Sequence, residues 1–294
     1  MAMPHFTLHQ PSSLEEALDL MSRHRASMKV LAGGTDLVPK MRAGAIQVEH
    51  LISLNRLPGM NRISYLDDDG LVIGCGARLS EVGANAEVRR YYPALAHACS
   101  VMATTQIRNM GTVAGNLVNA APSADTAAPL LAYKASVVLV ERGGRRQVPL
   151  EKFFEGPGKC AIEHLELLEA IRVPVPLDRS GSCYERLSAR SQVDIAGVGV
   201  AGFLALDMEG KILAARLALA AVAPTPVRCA ECEALLTGHE PSPDLIARAA
   251  AAAVRSARPI DDVRATAGYR RAMVHVLAKR VLETCLSQAQ GGAR

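Results

Sequence analysis

Two glycine-rich segments, far apart in the chain, place the tightest limit on its fold. The first is Leu31-Ala32-Gly33-Gly34-Thr35-Asp36 and the second is Gly111-Thr112-Val113-Ala114-Gly115-Asn116. Each sets small residues beside hydroxyl or amide side chains, and each adjoins an apolar run. With little or no Cβ in the way, backbone N–H groups in such loops approach a ligand closely. Successive N–H groups in a turn form a concave anion site. Two such loops facing each other hold a pyrophosphate from both sides, so a dinucleotide is the expected ligand. Neither segment is a Rossmann fingerprint, because G-x-G-x-x-G and the acidic residue on a following strand are missing. Neither is a phosphate loop ending in Lys-Ser/Thr.

The chain has 294 residues, 49% of them hydrophobic, enough for two or three packed units. Aromatic residues make up only 3% and Trp is absent. The core is therefore built from Ala, Leu, Val and Ile, and base stacking is excluded as a main activity. A formal charge of +4 with scattered Lys and Arg is not a nucleic-acid footprint. The pairs Arg89-Arg90, Arg145-Arg146 and Arg270-Arg271 read as solvated or partner-facing surface. No apolar run reaches the roughly 20 residues of a bilayer span. Met1 to Gln10 lacks a basic start with an apolar stretch behind it, so no secretory leader is expected. Seven cysteines, an odd number spread from Cys75 to Cys285, do not make a disulfide framework. The expected location is cytoplasmic.

Pattern along the chain predicts three units. In residues 1–55, Ser12 or Ser13 caps a helix carrying Leu14, Ala17, Leu18 and Met21 on one face. Met28–Ala32 reads as a strand running into the first glycine loop, Asp36–Arg42 as a helical turn and Val48–Leu54 as another strand. In residues 56–176, Arg62–Leu66 and Leu71–Gly74 flank an acidic turn, Asp67-Asp68-Asp69-Gly70, as a hairpin. Leu79–Ala86, with Ser80 as its cap, Pro93–Met102 and Ala127–Tyr133 read as helices. Tyr91-Tyr92-Pro93 reads as a helix entry packed on the core. Ala135–Val140 and Arg145–Leu150 form a second hairpin, and Leu165–Pro176 a closing strand. In residues 177–290, Ser182–Leu187, Val198–Leu206 and Ile212–Val222 read as an antiparallel meander. Helices over Pro241–Arg255 and Gly268–Cys285 follow, and residues 290–294 are expected to fray.

The stretch Thr104-Thr105-Gln106-Ile107-Arg108-Asn109-Met110-Gly111 through Asn116 to Thr126 mixes small and hydrogen-bonding residues without an amphipathic period. A structureless loop of this length inside a compact domain is unusual unless functional. It reads as buried irregular backbone whose polar groups a ligand satisfies.

These residues resemble the flavoprotein (medium) subunit of the molybdenum hydroxylases, a family that includes carbon monoxide dehydrogenase, bacterial xanthine dehydrogenase and hydroxybenzoyl-CoA reductase. Ala-Gly-Gly-Thr-Asp at 32–36 and Gln-Ile-Arg-Asn-x-Gly-Thr-Val-x-Gly-Asn at 106–116 look like its two FAD signatures. Ala-Asp-Thr-Ala-x-Pro-Leu-Leu-Ala at 124–132 fits as well, and the likeness extends to Tyr184-Glu185-Arg186-Leu187 and Asp194-Ile195-Ala196. The resemblance implies an α+β fold: a two-subdomain FAD-binding fold, 1–55 and 56–176, followed by a C-terminal antiparallel sheet with helices, 177–290.

Carried over residue by residue, the resemblance assigns the FAD site. Lys29, Val30, Leu31, Ala32, Gly33, Gly34, Thr35, Asp36 and Leu37 would cradle the pyrophosphate and nearby ribose from one side. Gly111, Thr112, Ala114, Gly115 and Asn116 would hold it from the other. Thr104 would lie on the approach to the flavin, Asp125 would bond a ribose or ribityl hydroxyl, and Leu168 would border the adenine or the cofactor backbone. Arg186, where relatives often carry Lys, would sit near the flavin's polar edge, with Asp194 and Ile195 beside the isoalloxazine ring. Ala114 departs from the family's usual Gly, and its methyl fits where φ is negative.

The implied partners are a large molybdopterin subunit and a small subunit with two-iron, two-sulfur clusters, assembled as a dimer of heterotrimers. NAD or another electron acceptor would complete the route. The rival expectations are a stand-alone FAD oxidase or reductase of the same superfamily and a flavin-free assembly subunit. No catalytic acid or base is expected in the chain. Cys229 and Cys232 lack the second pair that a metal site needs, and His5 and His9, four apart near Pro4, read as surface or partner-facing residues.

Overall fold

The computed structural model of the chain describes residues 4–163, 165–190 and 193–291. Met1–Met3, at the head of the segment read for a leader, and residues 292–294 of the tail expected to fray lie outside them. Gln290, the first residue of that tail, is the last residue of a long helix.

The first unit alternates strand and helix: β1 Thr7–His9, α1 Leu14–His24, β2 Met28–Leu31, α2 Leu37–Arg42 and β3 His50–Ser53. Its three strands form a parallel sheet in the order β1-β3-β2. Helix α1 starts where Ser13 Oγ accepts the Glu16 N–H at 3.1 Å, while the Glu16 carboxylate reaches back to the Ser12 N–H at 2.8 Å. This is reciprocal capping at the exposed helix start. Ala17, Leu18 and Met21 are the buried face of α1.

The second unit is built on a five-stranded antiparallel sheet. Its elements are β4 Ile63–Leu66, β5 Gly70–Gly74, α3 Leu79–Ala84, α4 Ala86–Tyr91, α5 Pro93–Val101, α6 Thr105–Arg108, α7 Val113–Val118, α8 Ala127–Ala132, β6 Ser136–Glu141, β7 Gly144–Pro149, β8 Phe154–Gly156, β9 Lys159–Cys160 and β10 Leu167–Val173. The sheet order β4-β5-β10-β6-β7 lays the last strand between the two hairpins, while β8 and β9 pair apart from it. Tyr92, at the entry to α5, is fully buried, as its position in the sequence predicts. The cap of α3 is Arg78 rather than Ser80, and its N–H donates to the Glu81 carboxylate at 2.9 Å.

The third unit is the expected meander, β11 Ser180–Leu187, β12 Val198–Leu206 and β13 Ile212–Ala220, extended by β14 Val227–Arg228. Helices α9 Ala230–Leu236, α10 Pro243–Ala253 and α11 Ala267–Gln290 cover one face of its sheet. Helix α11 lies so near the sheet that a Cβ on Gly181 would stand 2.2 Å from the Cys285 carbonyl oxygen. Tyr184, Ala201, Phe203 and Ala218 join the core formed by the first two units. The sheet therefore has one core on each face. Among the described residues no helix is long and apolar enough to cross a membrane.

Arg270 departs from the expectation of a solvated arginine pair. It is 4% exposed; its Nη1 donates to the Ala221 carbonyl at 3.1 Å and its Nη2 to Asp262 Oδ1 at 2.6 Å. A buried charge persists only where it is paired and hydrogen-bonded, and Asp262 supplies the pair. The Arg264 N–H and then the Arg270 guanidinium hold the Asp262 carboxyl down at about 2. A carboxyl lower in the folded than in the unfolded chain stabilises fully above its unfolded value, and that contribution fades as pH falls through the folded one. Denaturation midpoints measured from about pH 5 down to about pH 2 are expected to fall less steeply for Asp262→Asn than for the parent chain.

Candidate functional site

Between the first and second units lies a cavity of about 930 Å³. That is the upper end of the range of about 300–1,000 Å³ for small-molecule sites, room for a dinucleotide. It is bordered by Lys29 through Leu37, by Gly111, Thr112, Ala114, Gly115 and Asn116, and by Asp125, Leu168, Asp194 and Ile195.

The two glycine loops meet. A Cβ built on Gly33 would lie 2.1 Å from the Met110 carbonyl oxygen and 2.8 Å from the Gly111 Cα. A polar chain also joins them: Lys40 Nζ donates to Asn119 Oδ1 at 2.8 Å, and Asn119 Nδ2 to Asp36 Oδ1 at 3.2 Å. Lys40 and Asn119 both border the cavity. Asn119 falls inside the stretch singled out in the sequence, but nothing local to either residue announces the bond.

The loops differ in what they offer a ligand. Among the described residues, the N–H groups of Gly33, Gly34, Thr35 and Asp36 donate to no backbone carbonyl. In the second loop, Gly111 donates to the Ile107 carbonyl, Val113 to that of Ala77 and Asn116 to that of Thr112. Gly115 donates to Thr112 Oγ1 at 2.9 Å. Among the described residues the second loop thus keeps only the Thr112 and Ala114 N–H groups free of a backbone or side-chain acceptor, against all four of residues 33–36 in the first.

The stretch 104–126 is not irregular buried backbone throughout. It forms the short helices α6 and α7, each capped by its own threonine, Thr104 and Thr112. Residues 104–107, 109 and 110 are exposed. The threonine caps satisfy N–H groups that the sequence reading left to a ligand. Ala114 lies inside α7, where φ is negative, and its methyl is buried.

Two residues assigned to the site do not border the cavity. Thr104 is exposed at the start of α6. Arg186 lies behind the lining, its side chain 8% exposed, with Nε 3.3 Å from Asp125 Oδ1. Its guanidinium also donates to the Val101 carbonyl at 3.2 Å and to the Asp194 carbonyl. The cation is taken up by these acceptors and so fixes the 194–195 backbone at the cavity edge. Asp125 Oδ1 further accepts the Tyr184 hydroxyl at 2.6 Å. Burial pushes the Asp125 carboxyl up, and Arg186 and Tyr184 act against that push. The Asp194 carboxyl, bonded by Arg190 at 2.9 Å, is held down at about 2.

Cys229 and Cys232 are fully buried in the C-terminal core, and burial pushes the Cys229 thiol up to about 12. His9, read as a surface or partner-facing residue, is half-buried and meets His24 and His50.

A family described as the FAD binding domain in molybdopterin dehydrogenase matches residues 4–176. A second, the CO dehydrogenase flavoprotein C-terminal domain, matches residues 183–285. The chain is similar to the xanthine dehydrogenase FAD-binding subunit of Escherichia coli O157:H7, with 30% identity over 284 residues, 96% of this chain and 97% of the relative. It is similar to the carbon monoxide dehydrogenase medium chain of Hydrogenophaga pseudoflava, with 34% identity over 283 residues, 96% and 97% of the two chains. Among solved structures, carbon monoxide dehydrogenase from Hydrogenophaga pseudoflava, in a form lacking the Mo-pyranopterin moiety of its molybdenum cofactor, matches with a TM-score of 0.93. That match is 34% identical and covers 98% of this chain and 99% of the other.

Proposed function

Since this chain belongs to the family of FAD-binding subunits of molybdenum hydroxylases, we propose that it is the electron-transfer subunit of such an enzyme. It takes electrons from iron–sulfur clusters and passes them to NAD or another acceptor. Its partners are a large molybdopterin subunit and a small two-iron, two-sulfur subunit, as a dimer of heterotrimers in the cytoplasm. Residues 1–55 and 56–176 are the two FAD-binding subdomains, and 177–290 the domain that covers the flavin.

The observation that carries this reading is the donor loop. Four successive residues, Gly33 to Asp36, border a cavity of dinucleotide size with N–H groups that no backbone carbonyl takes up, and Gly33 lies too close to the Met110 carbonyl to admit a Cβ. Such an arrangement suits a diphosphate. Residues 111–116 form the opposite wall and keep water from the bonded face. Asp125 keeps carboxylate lone pairs for a sugar hydroxyl, and Leu168 supplies apolar surface. Arg186 holds the Asp194 carbonyl, which positions Asp194 and Ile195 at the edge of the cavity. When bound, FAD supplies both hydride and one-electron chemistry; the chain binds, orients and shields it.

The test is purification of the tagged chain from its own cells. The expected product is a yellow complex containing molybdenum and iron, whose flavin is bleached by the substrate of the large subunit and recolours with an acceptor. A yellow chain without either metal identifies a stand-alone flavoenzyme instead. A colourless metal-containing complex identifies an assembly subunit. Either result overturns the proposal.

A further inference from the structure

Outside the cavity, three imidazoles from three elements converge at one corner of the first unit. His9 ends β1, His24 ends α1 and His50 opens β3. In the parallel register Thr7 pairs with His50 and His9 with Ile52. Cross-strand partners share a face and alternate residues return to it, so His9 and His50 project from the same side of the sheet. Helix α1 packs on that side, its Ala17, Leu18 and Met21 sharing a core with Ile52. The end of the helix brings the His24 ring over that of His50, with centroids 3.7 Å apart. His9 Nε2 and His50 Nδ1 are 3.0 Å apart, and one ring nitrogen from each histidine lies within 4.8 Å of the other two. All three side chains are half-buried.

We propose that His9, His24 and His50 bind one divalent transition-metal ion of the class that prefers imidazole nitrogen, with Zn²⁺ the reference ion and water in the remaining position. A tetrahedral Zn²⁺ with Zn–N distances of about 2.0–2.1 Å sets its ligand nitrogens about 3.3 Å apart. The His9–His50 pair is near that spacing already, and a small rotation of His24 brings in the third. An all-nitrogen set disfavours Mg²⁺ and Ca²⁺, which take oxygen ligands. Burial, the neighbouring rings and Arg23 hold His9 and His24 below the usual histidine range. Imidazole ligates a metal in its neutral form.

The ion ties the end of α1 to β1 and β3. Arg25, Ala26 and Met28, which follow His24 directly, border the cavity, so the clip steadies one rim of it from outside. Its role is structural and lies apart from the electron route. Binding to the folded chain alone raises stability by mass action.

The experiment is calorimetric titration of the full, untagged, FAD-loaded chain with ZnCl₂, alongside thermal unfolding with and without the ion. The expected result is saturable uptake of one equivalent and a raised unfolding temperature. His9→Gln, His24→Gln and His50→Gln are each expected to weaken uptake by at least about tenfold, while His239→Gln leaves it unchanged. Circular dichroism and retained flavin confirm that each variant is folded, and His24→Gln, at a helix end, is the variant least able to disturb the sheet. Absence of saturable uptake overturns the proposal. Uptake that persists undiminished in the three variants, as binding by thiols elsewhere would, overturns it too.

Discussion

Gly33→Ala is expected to strip flavin from the purified chain. The new methyl would stand 2.1 Å from the Met110 carbonyl oxygen and 2.8 Å from the Gly111 Cα. Both obstacles are backbone, so no side chain can swing aside, and the two glycine loops have to part. Overpacking of this kind costs about 1–3 kcal/mol, equivalent to about 5- to 150-fold in binding. Because the strain falls between the donor loop and its wall, most of it appears as lost affinity for FAD. The measurement is the ratio of flavin to protein absorbance after gel filtration, followed by FAD titration of the stripped chain. Gly268→Ala is the control. A Cβ there meets nothing within 4 Å, the residue lies in the first turn of α11, and replacing a helical glycine adds about 0.4–1 kcal/mol of stability. Full flavin content in Gly33→Ala would falsify the close approach of the two loops.

Much of the fold is legible because its determinants are local. Ser13 and Glu16 announce α1, and the acidic turn at 67–70 separates β4 from β5. The meeting of the two loops at one cavity is legible because each sets small residues beside hydroxyl or amide side chains next to an apolar run. What stayed hidden depends on partners distant in sequence. Arg270 looks like surface until Asp262 and the Ala221 carbonyl come to it. The sequence likewise does not show that Asp125, Val101 and Asp194 surround Arg186. Helix α9 is not legible because its buried face is narrow, Cys232 and Leu236, and two of its carboxylates, Glu231 and Glu233, are set by pairing with Arg255 and Arg228. The histidine cluster joins His9 and His50 through sheet register and His24 through the packing of α1, which no spacing rule reveals. The threonine caps of α6 and α7 were readable in principle, since each threonine precedes a short run able to turn helically. The abundance of small residues points toward irregular backbone instead.

Asp125→Ala is expected to destabilise the chain more than any surface change. Asp125 belongs to the second unit, and the groups that hold it, Tyr184 and Arg186, stand on β11 of the third. The side chains of Asp125 and Arg186 are only 9% and 8% exposed, so the guanidinium cannot turn to water when its carboxylate is removed. Breaking a buried pair from one side costs about 3–5 kcal/mol. At roughly 2–4 °C per kcal/mol for chains approaching this size, the unfolding temperature falls by roughly 10 °C. Tyr184→Phe removes one hydrogen bond and leaves the ion pair, so its cost is nearer about 1 kcal/mol. The paired change Asp125→Leu with Arg186→Met removes both charges together and is expected to recover most of the loss, since apolar replacement of a buried pair is often neutral. The same variants separate stability from binding. Asp125 itself borders the cavity, and Arg186→Met in the double variant also removes the donor to the Asp194 carbonyl, so the 194–195 backbone at the cavity edge loses its hold. Flavin affinity should therefore fall in Asp125→Ala beyond what unfolding explains, and stay reduced in the stability-restored double variant. A double variant that regains both stability and full flavin affinity would show that the pair serves the fold alone.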